Sequence, residues 1–447
     1  MNLKELTNKK IAFLGLGIEN LALINYLIKL GLDLDISIFD GRDIEKLGER
    51  YEELKQYEFI NWYLGENAQD KLESFDILFR SAGWPIFESK IQDALKSGVV
   101  ISSAIKLFFE LSPTKNIIGV SGTKGKGTTS GLIVQILKAA RKKVFWGGNI
   151  GIPVFEFFDQ VQSDDFVVLE LSSFQLEDME QSPHISVITN LSPEHLSPAD
   201  PKNPNYHKSL KDYCEAKLNI FKFQEKDDFA VLSREFLQSS GEKGRGKLDL
   251  GQGKKVYFKK SELLSNLFGE YNKENVGAAV EVAKILNIKE AIIKKGVKKF
   301  KALPHRMEFV KEARGSKCYD NSFATTPEAT IADLNSFSEN VILILGGADK
   351  GSDFKELAQA IKKKVKFVIL FKGLGSDRIY KELKSVGYDQ NKIKFVSDMK
   401  KAVSFAFEHT SSGEPILLSP ACASFGVFKN YKERGDLFRK EVLDFRF

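Results

Sequence analysis

Three observations predict an α/β protein of several modules. Short apolar runs alternate with stretches of helical periodicity along the whole 447-residue chain. Residues 116–130, Asn-Ile-Ile-Gly-Val-Ser-Gly-Thr-Lys-Gly-Lys-Gly-Thr-Thr-Ser, join one such run to a helix through a glycine bend that carries lysine. At roughly 150 residues per domain, a chain of this length makes two to four domains.

Composition narrows the class. Hydrophobic residues make up 43% and charged residues 28%, the ordinary balance of a soluble globular protein. No stretch approaches the roughly 18 uninterrupted apolar residues of a membrane helix, and the polar segment Met1 to Lys10 lacks a secretory leader pattern. Cys214, Cys318 and Cys422 lie far apart without metal-ligand spacing, which favours a reducing compartment and free thiols. A net charge of +6 suits anionic small substrates, and a solvated lysine-rich surface explains it equally well. No basic stripe interleaved with aromatics argues for nucleic acid.

The first module reads as Rossmann-like. Ile11 to Leu14 is a strand, Gly15-Leu16-Gly17 a turn, Leu21 to Leu30 a helix, and Ile36 to Phe39 a second strand ending at Asp40. An acid about 20 residues beyond the glycines is the layout of a dinucleotide fold, although Asn20 stands where its third glycine belongs. Strands at Asp76–Phe79 and Val99–Ile101 continue the alternation, and Leu111-Ser112-Pro113-Thr114 reads as a linker.

The second module opens on the glycine bend. Ile117, Ile118 and Val120 form a buried strand, Gly122, Gly125 and Gly127 make the bend, and Thr128 begins a helix. Inward N–H groups, a helix N-terminus and Lys126 together describe a phosphate cradle. The common nucleotide loop G-x-x-x-x-G-K-[ST] is met only in part, because Val120 replaces its first glycine and Gly127 its hydroxyl residue. A glycine-rich turn with a solvated lysine is the alternative. Strand Phe166 to Leu169 ends in Glu170, which is where a magnesium ligand belongs beside a phosphate loop. Strand Ile185–Asn190 leads to Pro193-Glu194-His195, and Lys217 sits on a helix among apolar residues, where a lysine ordinarily snorkels to solvent. Residues 233–260 read as a mobile loop or hairpin without chemistry of its own. Asn272 could cap the following helix and Asn275 face solvent.

Leu303-Pro304-His305-Arg306 reads as a junction. Strands at Cys318–Tyr319, Val341–Leu345, Val365–Phe371, Ile393–Val396 and Ile416–Leu418 then build a third α/β set.

In their order these segments resemble the Mur ligases. Gly122-Thr123-Lys124-Gly125-Lys126-Gly127-Thr128-Thr129 is similar to that family's G-T-x-G-K-[ST]-T loop, and Glu170-Leu171-Ser172-Ser173-Phe174-Gln175-Leu176 to its E-x-S-S-F-Q-L segment. Asn190 to His195, Tyr213 to Lys217, Asn272 to Asn275 and Leu303 to Arg306 fall at the family's intervals. Leu418-Ser419-Pro420-Ala421-Cys422-Ala423-Ser424-Phe425 followed by Arg434-Gly435-Asp436 resembles the branch that adds D-glutamate to UDP-N-acetylmuramoyl-L-alanine.

The resemblance implies three domains: residues 1–112, Rossmann-like and binding the UDP substrate; 113–303, a central P-loop-type ATPase domain with a mostly parallel sheet; and 304–447, Rossmann-like and binding the amino acid. It implies ATP, two divalent ions (magnesium or manganese), a monomer, no membrane or nucleic-acid partner, and the bacterial cytoplasm, where peptidoglycan precursors are made. Lys126 would neutralise phosphates within the loop Gly122–Thr129, and Asn149 would lie near the substrate carboxylate or the transferring phosphate. Glu170 and His195 would hold metal, with Lys217 joining them as a carbamate. Asn272, Asn275 and Arg306 would meet the nucleotide, and Asp320 or Asn321 its ribose. Ile18, Glu19, Asp40 and Arg42 align with residues around the uracil and the UDP phosphates. Thr325, Lys350, Ser419 and Phe425 match the D-glutamate pocket.

There are departures from the family pattern. With Gly127 lacking a hydroxyl, the Thr128 side chain or a water must serve the metal instead. Phe323 stands where many members carry lysine, Asp320-Asn321 reverses a common order, and Ser81-Ala82-Gly83 lacks the usual middle proline. A nicotinamide dehydrogenase built on the first module and a catalytically silent nucleotide-binding relative are the competing classes.

Overall fold

The computed structural model describes residues 3–65, 72–196, 205–233, 249–349 and 351–446. The chain forms two compact units, Met1–Leu263 with Glu274–Val297, and Leu264–Lys273 with Lys298–Phe447.

The first unit holds two sheets. In one, β1 (Lys10–Leu14), β2 (Asp35–Asp40), β3 (Ile60–Leu64), β4 (Ile77–Arg80) and β5 (Val100–Ser102) run parallel in the order β3-β2-β1-β4-β5. The order reverses between β1 and β4, and a crevice beyond the carboxyl ends at such a switch is where open α/β sheets take ligands. Asn20 explains its own departure from the glycine pattern. Its buried Nδ2 donates to Gly15 O at 2.8 Å and to Phe79 O at 3.2 Å, lacing the turn after β1 to the end of β4.

In the second sheet, β6 (Ile117–Ser121), β7 (Val144–Gly148), β8 (Phe166–Glu170), β9 (Ile185–Ile188), β10 (Phe229–Ser233) and β11 (Lys254–Phe258) are also parallel, ordered β11-β10-β9-β6-β8-β7. β6 is central and wholly buried, so the bend at its end opens at the middle of the carboxyl edge. The hairpin reading of 233–260 is corrected: Lys254–Phe258 pairs parallel with β10 as an edge strand, and residues 234–248 lie outside the described ones. One apolar core runs through both sheets, with Tyr26 and Phe155 5.1 Å apart between ring centres and Phe108 and Phe157 at 6.4 Å.

The second unit contains β12 (Glu308–Ala313), β13 (Ser316–Asp320), β14 (Val341–Leu345), β15 (Val365–Phe371), β16 (Ile393–Val396) and β17 (Ile416–Leu418), ordered β12-β13-β17-β14-β15-β16. Only β12 runs antiparallel, against β13. Leu343 and Leu345 enter one apolar layer and Ile342 and Ile344 the other, the period-two division of a sheet covered on both faces. Among the described residues no helix is long and apolar enough to cross a membrane.

Candidate active site

The loop after β6 is shaped by two left-handed glycines and braced from behind. Gly122 has φ +136° and Gly125 φ +84°; a Cβ on the first would collide with Thr189 Oγ1, and on the second with Asn275 Oδ1. Gly125 ends the bend, so the helix Lys126–Ala139 starts two residues before the expected Thr128. Thr189 Oγ1 and Asn190 Nδ2 donate to Lys124 O at 2.6 and 2.9 Å, and Lys124 N donates to Asn190 Oδ1 at 2.9 Å. Thr123 Oγ1 lies 2.7 Å from Tyr213 Oη. Within this frame Lys126 Nζ donates to Gly122 O at 2.9 Å and Thr123 O at 3.0 Å, which keeps its charge over the bend. Lys124 Nζ pairs with Glu194 at 2.6 Å. Burial opposes the Glu194 charge, but Lys124, with smaller help from His195 and Lys126, outweighs it and holds the carboxyl below the usual glutamate range. Gly127 is buried and Thr128 half-buried, so Thr128 supplies the more accessible hydroxyl of this first helical turn.

Glu170 closes β8 and is only 1% exposed. Its Oε1 accepts from Asn149 Nδ2 at 2.7 Å and its main-chain O from Asn149 N at 2.8 Å, while Oε2 is buried without a hydrogen-bond partner. A buried carboxylate oxygen left unpaired is costly, and a divalent cation is a partner that restores the balance. Lys217, on the helix Leu210–Lys222, is 3% exposed. Burial, and then the neighbouring Lys126 charge, drive its amine well below the ordinary lysine range. The snorkelling expectation is thereby corrected: Lys217 points inward, because Cys214, Leu218 and Phe221 are buried around it on the same helix. His195 adopts φ +58°, uncommon for a non-glycine residue; its side chain is 46% exposed, and partial desolvation together with the Lys217, Lys126 and Lys124 charges lowers its pKa. The Glu170 carboxylate and the His195 imidazole are donors that fit a divalent ion, and a buried amine whose charged form is disfavoured fits conversion to a carbamate.

Asn275 is buried beneath the loop, where its Oδ1 accepts from Thr129 Oγ1 at 3.3 Å; the solvent-facing expectation is corrected. Four further candidates lie in the first sheet's own turns. Ile18 is exposed at the start of its helix, and Glu19 Oε1 accepts from Gln175 Nε2 at 2.5 Å, its pKa raised by burial to about 7. Asp40 Oδ2 accepts from Leu16 N at 2.7 Å, and Arg42 grips the same carboxylate at 2.7 and 2.8 Å. That acid therefore holds the first turn closed and positions the arginine.

The other candidates lie in the second unit. Asn272 lies inside its helix, Tyr271–Ile285, rather than before it, and its Nδ2 donates to Phe268 O at 2.7 Å. Arg306 stacks on Phe323, the guanidinium carbon 3.7 Å from the ring centre. Asp320 is fully buried, bonded to His305 Nδ1 at 2.7 Å and to Ser322 N at 2.8 Å. Asn321 and Ser419 both donate to Asp333 Oδ2, at 2.6 and 2.7 Å, and burial raises that acid's pKa to about 7. Thr325 is half-buried and Phe425 exposed. Lys350 lies outside the described residues.

Residue-by-residue reading missed the second layer. Tyr213 bonds the loop, and Phe174 packs between His195 and His207. Arg80 ties the first sheet to the segment after Glu170. None has a local signal, because each acts on partners far away in the chain.

Fold and site define an α/β enzyme of three sheets, the second of which carries a lysine-bearing phosphate loop. Family models match three stretches: a Mur ligase MurD-like N-terminal domain at residues 9–103, a Mur ligase middle domain at 120–242, and a Mur ligase glutamate ligase domain at 305–422. A protein of Acetivibrio thermocellus named UDP-N-acetylmuramoylalanine--D-glutamate ligase is 38% identical over 98% of this chain and 97% of its own. Proteins of the same name from Clostridium botulinum (strain Okra) and Clostridium tetani are 36% identical, over 97% and 98% of this chain and 96% and 97% of theirs. The fold is shared with the Thermotoga maritima UDP-N-acetylmuramate-alanine ligase MurC (TM-score 0.58, 19% identity, 98% of this chain and 99% of that one). It is shared too with MurF ligase of Thermotoga maritima in complex with ADP (TM-score 0.58, 16% identity, 99% and 97%). The chain belongs to the Mur ligase family.

Proposed function

We propose that this chain is an ATP-dependent ligase that joins D-glutamate to UDP-N-acetylmuramoyl-L-alanine in peptidoglycan precursor synthesis. Near-complete coverage of relatives bearing that activity in their name supports the substrates, and the site supports the chemistry. One observation carries the reading: the buried, unpartnered Oε2 of Glu170 stands on the strand next to the lysine-bearing phosphate loop.

A carboxylate is a poor acylating group, so the γ-phosphoryl group of ATP first passes to the L-alanyl carboxylate. The D-glutamate amine attacks the resulting acyl phosphate, and a tetrahedral intermediate expels phosphate. Each step brings anions together, so preorganised positive charge is the main requirement. Lys126 and the N–H groups of the Gly122–Thr129 loop would hold the β- and γ-phosphates, with Asn149 oriented beside them by Glu170. Glu170, His195, the Thr128 hydroxyl and a carbamylated Lys217 would hold two magnesium (or manganese) ions. When bound, those ions supply the remaining positive charge on the transferring phosphoryl group. Carbamylation puts an anionic ligand where an ammonium would repel metal.

Asn275 shapes the loop from beneath, and Asn272, Arg306 and the Asp320-Asn321 pair would serve the nucleotide side. Ile18, Glu19, Asp40 and Arg42 would line the UDP end. Thr325, Lys350, Ser419 and Phe425 would serve D-glutamate. The working domain limits are 1–112, 113–303 and 304–447, in a cytoplasmic monomer.

Phosphate release from ATP is the test. Release that requires both UDP-N-acetylmuramoyl-L-alanine and D-glutamate, and that disappears in folded Lys126→Ala, supports the reading. Full activity in that variant removes the loop from the mechanism.

A further inference from the structure

We infer that Arg80, at the end of β4, is a positioning residue: it fixes the Ser173–Leu176 turn and, through the ring of Phe174, the imidazole of His195. The inference rests on the reading of His195 as part of the active site. Arg80 belongs to the first sheet, whereas the turn follows β8 of the second.

The geometry is that of a built joint. The Arg80 side chain is 1% exposed. Its Nη1 donates to Trp84 O at 2.9 Å and its Nη2 to Phe174 O at 2.9 Å, while Glu177 and Asp178 pair with the same fork at 2.9 and 3.0 Å. A buried guanidinium with three hydrogen-bond partners and a fourth group, Glu177, in ion-pair contact transmits position as well as charge, which a lysine cannot reproduce. The Phe174 ring then lies between two imidazoles. It stacks on His207 at 4.7 Å and 3°, and meets His195 edge-on at 5.2 Å and 65°. His207 N donates to His195 O at 2.8 Å, which closes the circle at the residue with φ +58°.

The same end of the first sheet makes two more ties to these segments. Gln175 Nε2 donates to Glu19 at 2.5 Å, and Asn205 Nδ2 to Ala82 O at 2.6 Å. Phe87 packs on Tyr206 with ring centres 5.0 Å apart. Residues 174–178 and 205–206 are thus both anchored to residues 80–88. A displacement of the first sheet's carboxyl edge is carried to the His195 ring without passing through the phosphate loop.

The test uses the full chain with Arg80→Met, Arg80→Lys, Phe174→Leu and the Arg80→Met/Phe174→Leu double variant. The first readout is the imidazole C–H spectrum without metal, with the His195 line assigned by its loss in His195→Asn. That line carries the ring-current shift of Phe174. The second is direct Mn2+ binding followed by water-proton relaxation, and the third is substrate-dependent phosphate release. Arg80→Met is expected to move the His195 line and raise the Mn2+ Kd at least threefold, with the KM for ATP changing less than twofold. Arg80→Lys is expected to fall between Arg80→Met and wild type. The double variant is expected to be no worse than Phe174→Leu alone, as for residues acting in series. An unmoved His195 line with unchanged Mn2+ affinity in folded Arg80→Met, or additive effects in the double variant, overturns the inference. If Arg80→Met does not fold, Arg80→Lys decides by the same readouts. If the wild-type chain releases no substrate-dependent phosphate, the functional reading falls while the His195 line still decides the role of Arg80.

Discussion

Gly125→Ala offers a quantitative test of the phosphate loop because the molecule contains its own control. Gly125 and Gly98 have nearly the same φ, +84° and +88°. A Cβ on Gly98 would meet nothing within 4 Å, whereas on Gly125 it would collide with the carboxamide oxygen of Asn275. Both substitutions incur left-handed strain of about 1–2 kcal/mol, offset by about 0.4–1 kcal/mol from a less flexible unfolded chain. Gly98→Ala should therefore cost roughly 1 kcal/mol. Asn275 is buried and accepts from Thr129 Oγ1, so moving it forfeits that bond or strands a buried acceptor, a further ~1–3 kcal/mol. Urea unfolding followed by tryptophan fluorescence measures the difference in the right place, since Trp62, Trp84 and Trp146 all lie in the first unit. In the phosphate-release assay, kcat/KM for ATP should fall at least about tenfold in Gly125→Ala and stay near wild type in Gly98→Ala, the size of effect expected when a positioned loop shifts by under an ångström. Equal destabilisation of the two variants, with ATP kinetics intact in both, would rule out a steric role for Asn275 beneath the loop.

Three further predictions follow from the buried charges. Glu170→Gln should lower turnover by two orders of magnitude or so and weaken Mn2+ binding, yet leave the melting temperature unchanged or raised, because Oε2 has no partner to lose. Lys217→Met should abolish turnover and raise stability near neutral pH: an amine with a depressed pKa penalises the fold as pH falls below the unfolded value, so differential scanning calorimetry should show the gain shrinking toward alkaline pH. Asp333 has its pKa raised from 3.8 to about 7, so its protonated form stabilises the second unit at acid pH. That contribution is lost as pH rises from about 4 through 7, on the order of 4 kcal/mol at most, and Asp333→Asn should flatten this part of the pH–stability profile.

The parts of the fold that could be read in advance are those whose physics is local. The bend at 122–127 announces itself because left-handed backbone needs glycine, and Glu170 because an apolar run ending in an acid marks the carboxyl edge of a strand. Strand Ile60–Leu64 escaped notice because Asn61 and Tyr63 face outward and leave only alternate apolar residues. Strand Glu308–Ala313 is likewise an edge, with only Ala313 buried. The edge strand Lys254–Phe258 was obscured by its lysines. At the site, Lys217 and Asn275 were misjudged on burial for one reason. A helical lysine or asparagine reveals nothing about its face unless the neighbouring helix and loop are known, and both partners here lie more than 50 residues away. Arg80 was illegible for the same cause, its partner Phe174 standing 94 positions along the chain.

The arrangement of charge explains why these long-range partners matter. Lys126 is held on two carbonyls of its own loop, and its charge is one of the causes that push the Lys217 pKa well below the ordinary lysine range. Lys124 is balanced by Glu194, which leaves Glu170 as a buried acid with one oxygen unengaged. A site left in this state has an excess of cation on the phosphate side and an unsatisfied anion on the strand side. Adding a negative group at Lys217 increases the need for divalent metal between them, and adding metal stabilises that negative group in return. The two events are therefore thermodynamically linked, and each must strengthen the other by the same factor. Bicarbonate should accordingly tighten Mn2+ binding to the wild-type chain and leave Lys217→Met unaffected, and a wild-type Mn2+ affinity that is indifferent to bicarbonate would break the link.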